Sequence, residues 1–466
     1  MKKHWLWLFI ALAAFVAIAY FAPASEALPR EALAALGVAV FAIIVWMTQA
    51  VPSALSGFMI VFLLAVSGAT DLAGALTGYS NNSLWLIVIG FIMAAAMEKS
   101  QLSKRIALTL VRAAGGSPVR IYWAVALVLA VLTFLVPSIT ARTLLMMPIV
   151  LGIGEAFGAK AGSSNIVKAL IFIVAMSGTM MSIGVLTGHV GNPITAGLIE
   201  DATGQAVSWS EWLYVGGPPA FILAFISVFV IQKMWKPEFP TLESAGSYVH
   251  RELTAMGTMS RDEKYTLAIF LMTLALWATD SFHGFPVAVV GFFSVIALLL
   301  PDVGAMTWKE AQPRVPWDVF VLYGSGLSMG TALTTSGAAK WLASTLFSPL
   351  DGMSIAMQMI VMIWAVTLLQ VFFTGGGPKT TALTPIVIAH ATMIGADPRA
   401  FAMVLGMNMH HQYLLPVSNM PNAVAMGTNE ITSRELNKTG AVMSILAAAF
   451  MSLAVVTYWS WIGLVG

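Results

Sequence analysis

Cysteine is absent from the sequence, which excludes disulfides, thiolate metal sites and cysteine nucleophiles and leaves the redox compartment open. Charge is nearly as scarce. Only 9% of the 466 residues are Asp, Glu, Lys or Arg, against about 25% in ordinary soluble domains, and 59% are hydrophobic. A soluble enzyme and any large water-soluble domain are thereby excluded. A formal charge of +2 gives no footing for a nucleic-acid partner, so membrane lipid is the expected surroundings. Gly-rich phosphate loops, metal-ligand spacings and nucleophile triads are also missing, so neither an enzyme, a catalytic residue nor a metal site is expected.

What is there is a succession of apolar runs. The first, Trp5 to Ala22, follows Lys2 and Lys3 and is long enough to cross a hydrocarbon core of about 30 Å. A cleaved signal peptide ending near residues 22–27 competes with that reading, but the stretch is long for a signal core. Further runs lie at 33–51, 53–69, 82–97, 119–158, 166–199, 212–232, 264–281, 284–300, 316–334, 352–394, 398–427 and 439–463. Two are too long for one span. If 119–158 and 352–394 enter and leave by the same face while the other eleven cross once, 18 of the 23 basic residues fall at cytoplasmic ends. Only Arg30, Lys340 and Arg399 then lie outside, the bias that the positive-inside rule requires. This places the N-terminus in the cytoplasm and the C-terminus outside a bacterial inner (cytoplasmic) membrane. Charge alone does not tell a re-entrant hairpin from a pair of full spans.

The expected fold is an all-α polytopic membrane protein with eleven transmembrane helices and two re-entrant hairpins. Three local similarities recur in the same order. Residues 137–150 match 374–387 at an offset of 237, 97–104 match 333–340 at 236, and Gly191-Asn192-Pro193 matches the segment from Ser418 to Ala423 at 227. The domain reading is therefore an N-terminal transmembrane helix and outer loop (1–32), a first repeat (33–235, with hairpin 119–158 and broken helix 166–199), a cytoplasmic linker (236–263) and a second repeat (264–466, with hairpin 352–394 and broken helix 398–427). Each repeat holds five crossings and one hairpin, so the second starts on the opposite side and the repeats are inverted. Inverted repeats with paired interrupted helices point to a secondary transporter with a midplane site between the halves.

A broken helix frees amides at one half and carbonyls at the other, and the freed amides with the positive dipole end favour an anion. Ser138, Thr140, Asn192, Thr195, Thr380, Ser418, Asn419 and Asn422 supply polar side chains there, although each could equally cap the break. Gly375, Gly376 and Gly377 leave backbone open to close approach. Arg142 and Lys379 occupy corresponding places in the two hairpins, at a depth where an unpaired charge costs roughly 2.5–3.5 kcal/mol. Neither hairpin has an Asp or Glu near them and the broken spans contain none, so the counter-ion is expected to be the substrate, a dianion or trianion. Snorkelling or bonding to helix carbonyls is the plainer alternative for both. His189, His390, His410 and His411 stand at breaks or hairpin ends, where a structural hydrogen bond is the ordinary role. The 28 Met and 15 Trp read as packing and interface residues.

At these residues the chain resembles the divalent anion/sodium symporter family. The resemblance runs from Trp46-Met47-Thr48-Gln49-Ala50-Val51-Pro52, near the family's Trp-x-Thr-Glu-Ala-x-Pro, to residues 415–423, near its Leu-Pro-x-x-x-x-Pro-Asn-Ala. It implies a carrier of di- or tricarboxylates or sulfate, eleven transmembrane helices, two hairpins, a homodimer and an elevator-like movement of the transport part. The family's Ser-Asn-Thr hairpin tips bind substrate carboxylates, with sodium beside them. Here the tips read Ser138-Ile139-Thr140 and Gly375-Gly376-Gly377, so Ser138 and Thr140 carry over as side chains and the three glycines as backbone only. The loss of both Asn side chains counts against sodium, and no other cofactor is called for. Thr140-Ala141-Arg142 is similar to the branch of citrate or dicarboxylate exchangers and plastid 2-oxoglutarate/malate translocators. The expectation is antiport of small di- or tricarboxylates with Arg142 and Lys379 in the place of sodium. Sodium-coupled symport of a dicarboxylate or sulfate, and from another class an anion channel, are the alternatives.

Overall fold

The computed structural model describes residues 2–115, 117–156, 158–160, 162–238, 244–373 and 375–465; Thr374 of the second hairpin motif and linker residues 239–243 lie outside the described residues. Among the described residues the secondary structure is helical throughout, without a strand. Eight helices among the described residues are long and apolar enough to cross a membrane, including both limbs of the first hairpin, Pro118–Leu135 and Ile139–Ala156. Helices Ser53–Val66 and Val287–Leu299, in runs expected to cross once, have only 14 and 13 residues. At 1.5 Å rise per residue that is about 20 Å, short of a hydrocarbon core of about 30 Å.

The helix boundaries follow local chemistry. Proline occupies the first turn of Pro118–Leu135 and Pro398–Asn408, where its missing amide donor is no loss. Reciprocal caps pair Ser208 with Glu211, Ser260 with Glu263, Thr307 with Glu310 and Thr432 with Glu435.

The two halves contain the same order of elements. A short helix, Ser53–Val66 or Val287–Leu299, precedes a long one, Asn82–Lys99 or Trp317–Thr335. A surface helix follows, Leu102–Arg112 or Ala338–Leu346, then the hairpin and the broken helix. The short helix of each half packs on the long helix of the other. Gly57 and Gly291 permit this, since a Cβ at either would come within 2.8 Å of Val321 or Ile89 respectively. Neither surface helix was expected from the apolar runs, because each is amphipathic and too polar to read as a span.

Packing centres on the first broken helix, where every residue from Ile166 to Ile183 is buried. The outer helices instead expose Trp5, Phe9, Phe58, Phe62, Ile296 and Trp461, the apolar surface that a bilayer covers. A second, smaller core joins the N-terminal helices to Trp317–Thr335 and Ala338–Leu346. Within the linker, helix Ser244–Met256 lies across hairpin one, with the Tyr248 ring where a side chain on Gly152 would stand. Lys104 pairs with Glu252 at 2.8 Å and Arg105 with buried Glu263, tying the linker to the first surface helix.

Candidate functional site at the paired helix breaks

The first hairpin turns over a short segment that begins with extended Val136. This turn, at 136–138, lies between its two limbs, with the Ser138 hydroxyl accepting from the Ala141 amide at 3.3 Å. The second runs through Ile355–Leu368 and a 3-10 turn to the limb Gly376–Met393. Its three glycines have three separate reasons. Gly375 has φ 100°, a backbone conformation that side chains resist. A Cβ on Gly376 would lie 2.2 Å from the His410 ring, and one on Gly377 would lie 2.1 Å from the Tyr323 hydroxyl.

Arg142 and Lys379 are each the fourth residue of a second limb. Both are buried, at 2% and 0% exposure, so neither reaches toward headgroups. Arg142 Nη2 donates to Ser182 Oγ at 2.7 Å and to the Gly188 carbonyl at 2.6 Å, while Nη1 has no partner among the described residues. Its side chain thus lies in the break of the first broken helix, between Gly178–Ile183 and Gly191–Thr203. Lys379 Nζ donates to the Val366 carbonyl at 3.3 Å, across hairpin two. Five ion pairs occur among the described residues, and neither cation takes part in one.

The two asparagines of the breaks perform one task. Asn192 Nδ2 donates to the carbonyls of Ser182, Ile183 and Val185, and Asn422 Nδ2 to those of Tyr413 and Leu415. Ser182 and Ile183 end the first half-helix, and Val185, Tyr413 and Leu415 lie within the breaks, so each asparagine gathers the carbonyls where a helix stops. The Oδ1 atom of each asparagine is buried without a partner. Asn419 caps the Asn422 amide at 2.8 Å, Ser418 Oγ accepts from the Leu415 amide, and Thr195 bonds back to the Gly191 carbonyl. Thr380 Oγ1 donates to the Gly376 carbonyl and faces His410 Nε2 at 3.3 Å. Several of the sequence candidates are therefore occupied in holding the breaks open.

Cavities of about 620 and 680 Å³ open at the two tips. Ser138 and Thr140 line the first together with Lys104 and Arg314 and the carboxylates of Glu98 and Glu252. Gly375 and Pro378 line the second with Gln49 and Tyr323. Arg142 and Lys379 line neither cavity and stand behind the tips.

Sequence reasoning did not single out Gln370 or the joining role of His410. Gln370 Oε1 accepts from the Tyr413 and Leu414 amides at the second break, and its amide bonds Ser444. A lone Gln beside Gly and Pro in an apolar run was the only signal. His410 packs against the first break at Gly191, where a Cβ would lie 1.8 Å away, and its ring centroid is 4.3 Å from that of His189. His390 instead bonds Gln358 at 2.6 Å, away from the breaks. Trp209 and Trp212, expected only to pack, donate their indole N–H groups to Thr187 and to the Ile183 carbonyl.

Polytopic helical packing with two interrupted helices, two hairpins and buried polar atoms at the breaks defines an integral membrane transporter. The sodium:sulfate symporter transmembrane-region profile matches residues 2–465, and the chain belongs to this family, the divalent anion/sodium symporters. A membrane protein of Cupriavidus necator is 32% identical over 99% of this chain and 94% of its own length. The sodium-dependent dicarboxylate transporter SdcS of Staphylococcus saprophyticus is 28% identical over 88% of this chain and 83% of its own. Among solved structures, the YdaH transporter of Alcanivorax borkumensis, described as having an unusual topology, superposes with a TM-score of 0.58 at 16% identity. That match covers 84% of this chain and 88% of the other, and it shows likeness of fold alone.

Proposed function

We propose that this protein exchanges small di- or tricarboxylate anions across the membrane, with Arg142 and Lys379 taking the place of sodium. The observation that carries the reading is the pair of buried cations, each fourth in its limb and each without a carboxylate partner among the described residues. A dianion at the tips compensates both. Ser138, Thr140, Thr380 and the amides of 375–377 then serve its oxygens, while Asn192, Thr195, Ser418, Asn419 and Asn422 keep the surrounding breaks in shape. The relatives named as dicarboxylate transporters support the substrate class.

Exchange follows from tethering. A sodium ion leaves with its substrate, and the empty carrier returns without the charge. A guanidinium and an ammonium cannot leave, and an empty site carrying both is costly to move through a low-dielectric interior. Loading a second anion removes the obstacle. The movement is elevator-like, in a homodimer with eleven crossings per chain, the N-terminus cytoplasmic and the membrane a bacterial inner membrane.

Sodium-coupled symport is the second reading, favoured by the names of the same relatives. The second tip fits a hard cation less well, since residues 375–377 have no side-chain oxygen and offer carbonyls only. Reconstituted protein decides between them. Exchange predicts uptake of labelled dicarboxylate only into vesicles preloaded with unlabelled acid, at a rate independent of sodium. Uptake into empty vesicles driven by an imposed sodium gradient would overturn it.

A further inference from the structure

His189 and His410 lie where the two halves meet, and the mechanism above does not use them. The buried His410 ring is wedged between Gly191 of the first break and Gly376 of hairpin two, so it has no room to turn away. With the Thr380 Oγ1 hydrogen on the Gly376 carbonyl at 2.9 Å, the 3.3 Å contact takes the tautomer of His410 that carries its proton on Nε2. In that tautomer Nδ1 of His410 is a buried lone pair, and no donor among the described residues reaches it. His189 Nδ1 accepts from the Gly191 amide at 3.0 Å, which leaves its proton on Nε2. Both rings are neutral in this arrangement, and the pair has one unused basic nitrogen.

Every charged or titratable group facing the pair is a base. Arg142 approaches from hairpin one, Lys379 from hairpin two, and His411 from the same segment as His410. No carboxylate faces it among the described residues. A proton therefore stays on His410 only when a negative charge arrives with it, and two protons on rings 4.3 Å apart would repel. Binding is reciprocal, so an anion that favours the proton is favoured by it in return.

We propose that the His189–His410 pair binds one proton together with a tricarboxylate and none with a dicarboxylate. The inference rests on the exchange reading and extends it. Arg142 and Lys379 balance a dianion, and the third charge of a trianion is met by the proton on His410 Nδ1. One site thereby carries both substrate classes at equal net charge. In exchange of external tricarboxylate for internal dicarboxylate, the proton enters from the loading side with the incoming anion and is released inside, so no net charge crosses.

Proteoliposomes preloaded with succinate and holding a lumenal pH dye and a potential dye test this, in buffer alkaline enough to ionise citrate fully. External succinate should exchange without changing lumenal pH. External citrate should acidify the lumen by one proton per citrate without generating a potential. His410→Gln should make any remaining citrate-for-succinate exchange electrogenic, inside negative, without acidification. If the wild type fails to exchange succinate for succinate, the underlying exchange reading falls. If it does so but excludes citrate, or moves citrate with a potential and no proton, this inference is overturned. Proton movement that persists in the His410→Gln variant removes it from the pair.

Discussion

Replacing Arg142 by Met separates a structural role for this side chain from an electrostatic one. The substitution removes the donor to the Gly188 carbonyl, at a cost of about 1–3 kcal/mol for an unmatched buried acceptor. Ser182 keeps its own bond to the Gly178 carbonyl at 2.6 Å and loses less. Against this, a cation without a counter-ion leaves the membrane interior, recovering roughly 2.5–3.5 kcal/mol. The two nearly cancel, so the melting temperature of the detergent-solubilised protein should move little. Binding should not be spared. Arg142 stands one helical turn behind the tip, and a carboxylate there is taken at about 7 Å from the guanidinium. At an effective dielectric constant near 20 that attraction is about 2 kcal/mol, a roughly 30-fold loss of apparent affinity in counterflow. Unchanged affinity with unchanged melting would refute the electrostatic role. A collapse of melting temperature together with transport would mean that Arg142 is a clamp on the break.

Three further outcomes follow from the packing. Gly191→Ala drives a methyl into the His410 ring, and overpacking of this kind costs about 1–3 kcal/mol. Its melting temperature should fall and should partly recover in the Gly191→Ala/His410→Ala double variant; equal losses in both would refute the contact. Glu263→Gln weakens the tie to Arg105 and should cost about 1–3 kcal/mol, discounted from a fully buried pair because Arg105 is partly exposed. A denaturation midpoint indistinguishable from wild type would count against it. Glu310 is held down to about 2 from 4.5, chiefly by its hydrogen bond from Lys99. A depressed carboxyl contributes above its ordinary range and loses that contribution as pH falls from 4.5 toward 2. The Glu310→Gln variant should therefore show a smaller acid-induced drop in melting temperature than wild type across that window.

The breaks were legible because Pro and Gly act locally. Gly191-Asn192-Pro193 and the Ser418 to Ala423 segment interrupt otherwise apolar runs, and the structure breaks its helices just ahead of them, between Ile183 and Gly191 and between Asn408 and Met420. Arg142 and Lys379 were legible as a pair from their common distance into two related motifs. Their partners were not. Ser182 and Gly188 lie 40 and 46 residues from Arg142, and no local pattern names them. The surface helices 102–112 and 338–346 leave no apolar run in the sequence, because their apolar residues recur on one helical face between polar ones.

The sequence by itself determined a membrane-embedded helical chain with two interrupted helices and two buried cations lacking carboxylate neighbours. Hydropathy, helix breaking and charge are properties of short segments and survive without any knowledge of contacts. Tertiary structure alone decided which polar atoms are consumed in closing the breaks and which remain, because a hydrogen bond is settled by the approach of groups far apart in the chain. That is why Asn192 proves to hold carbonyls together, while His410, an ordinary histidine in sequence, joins the first break to the second hairpin with an unpartnered nitrogen.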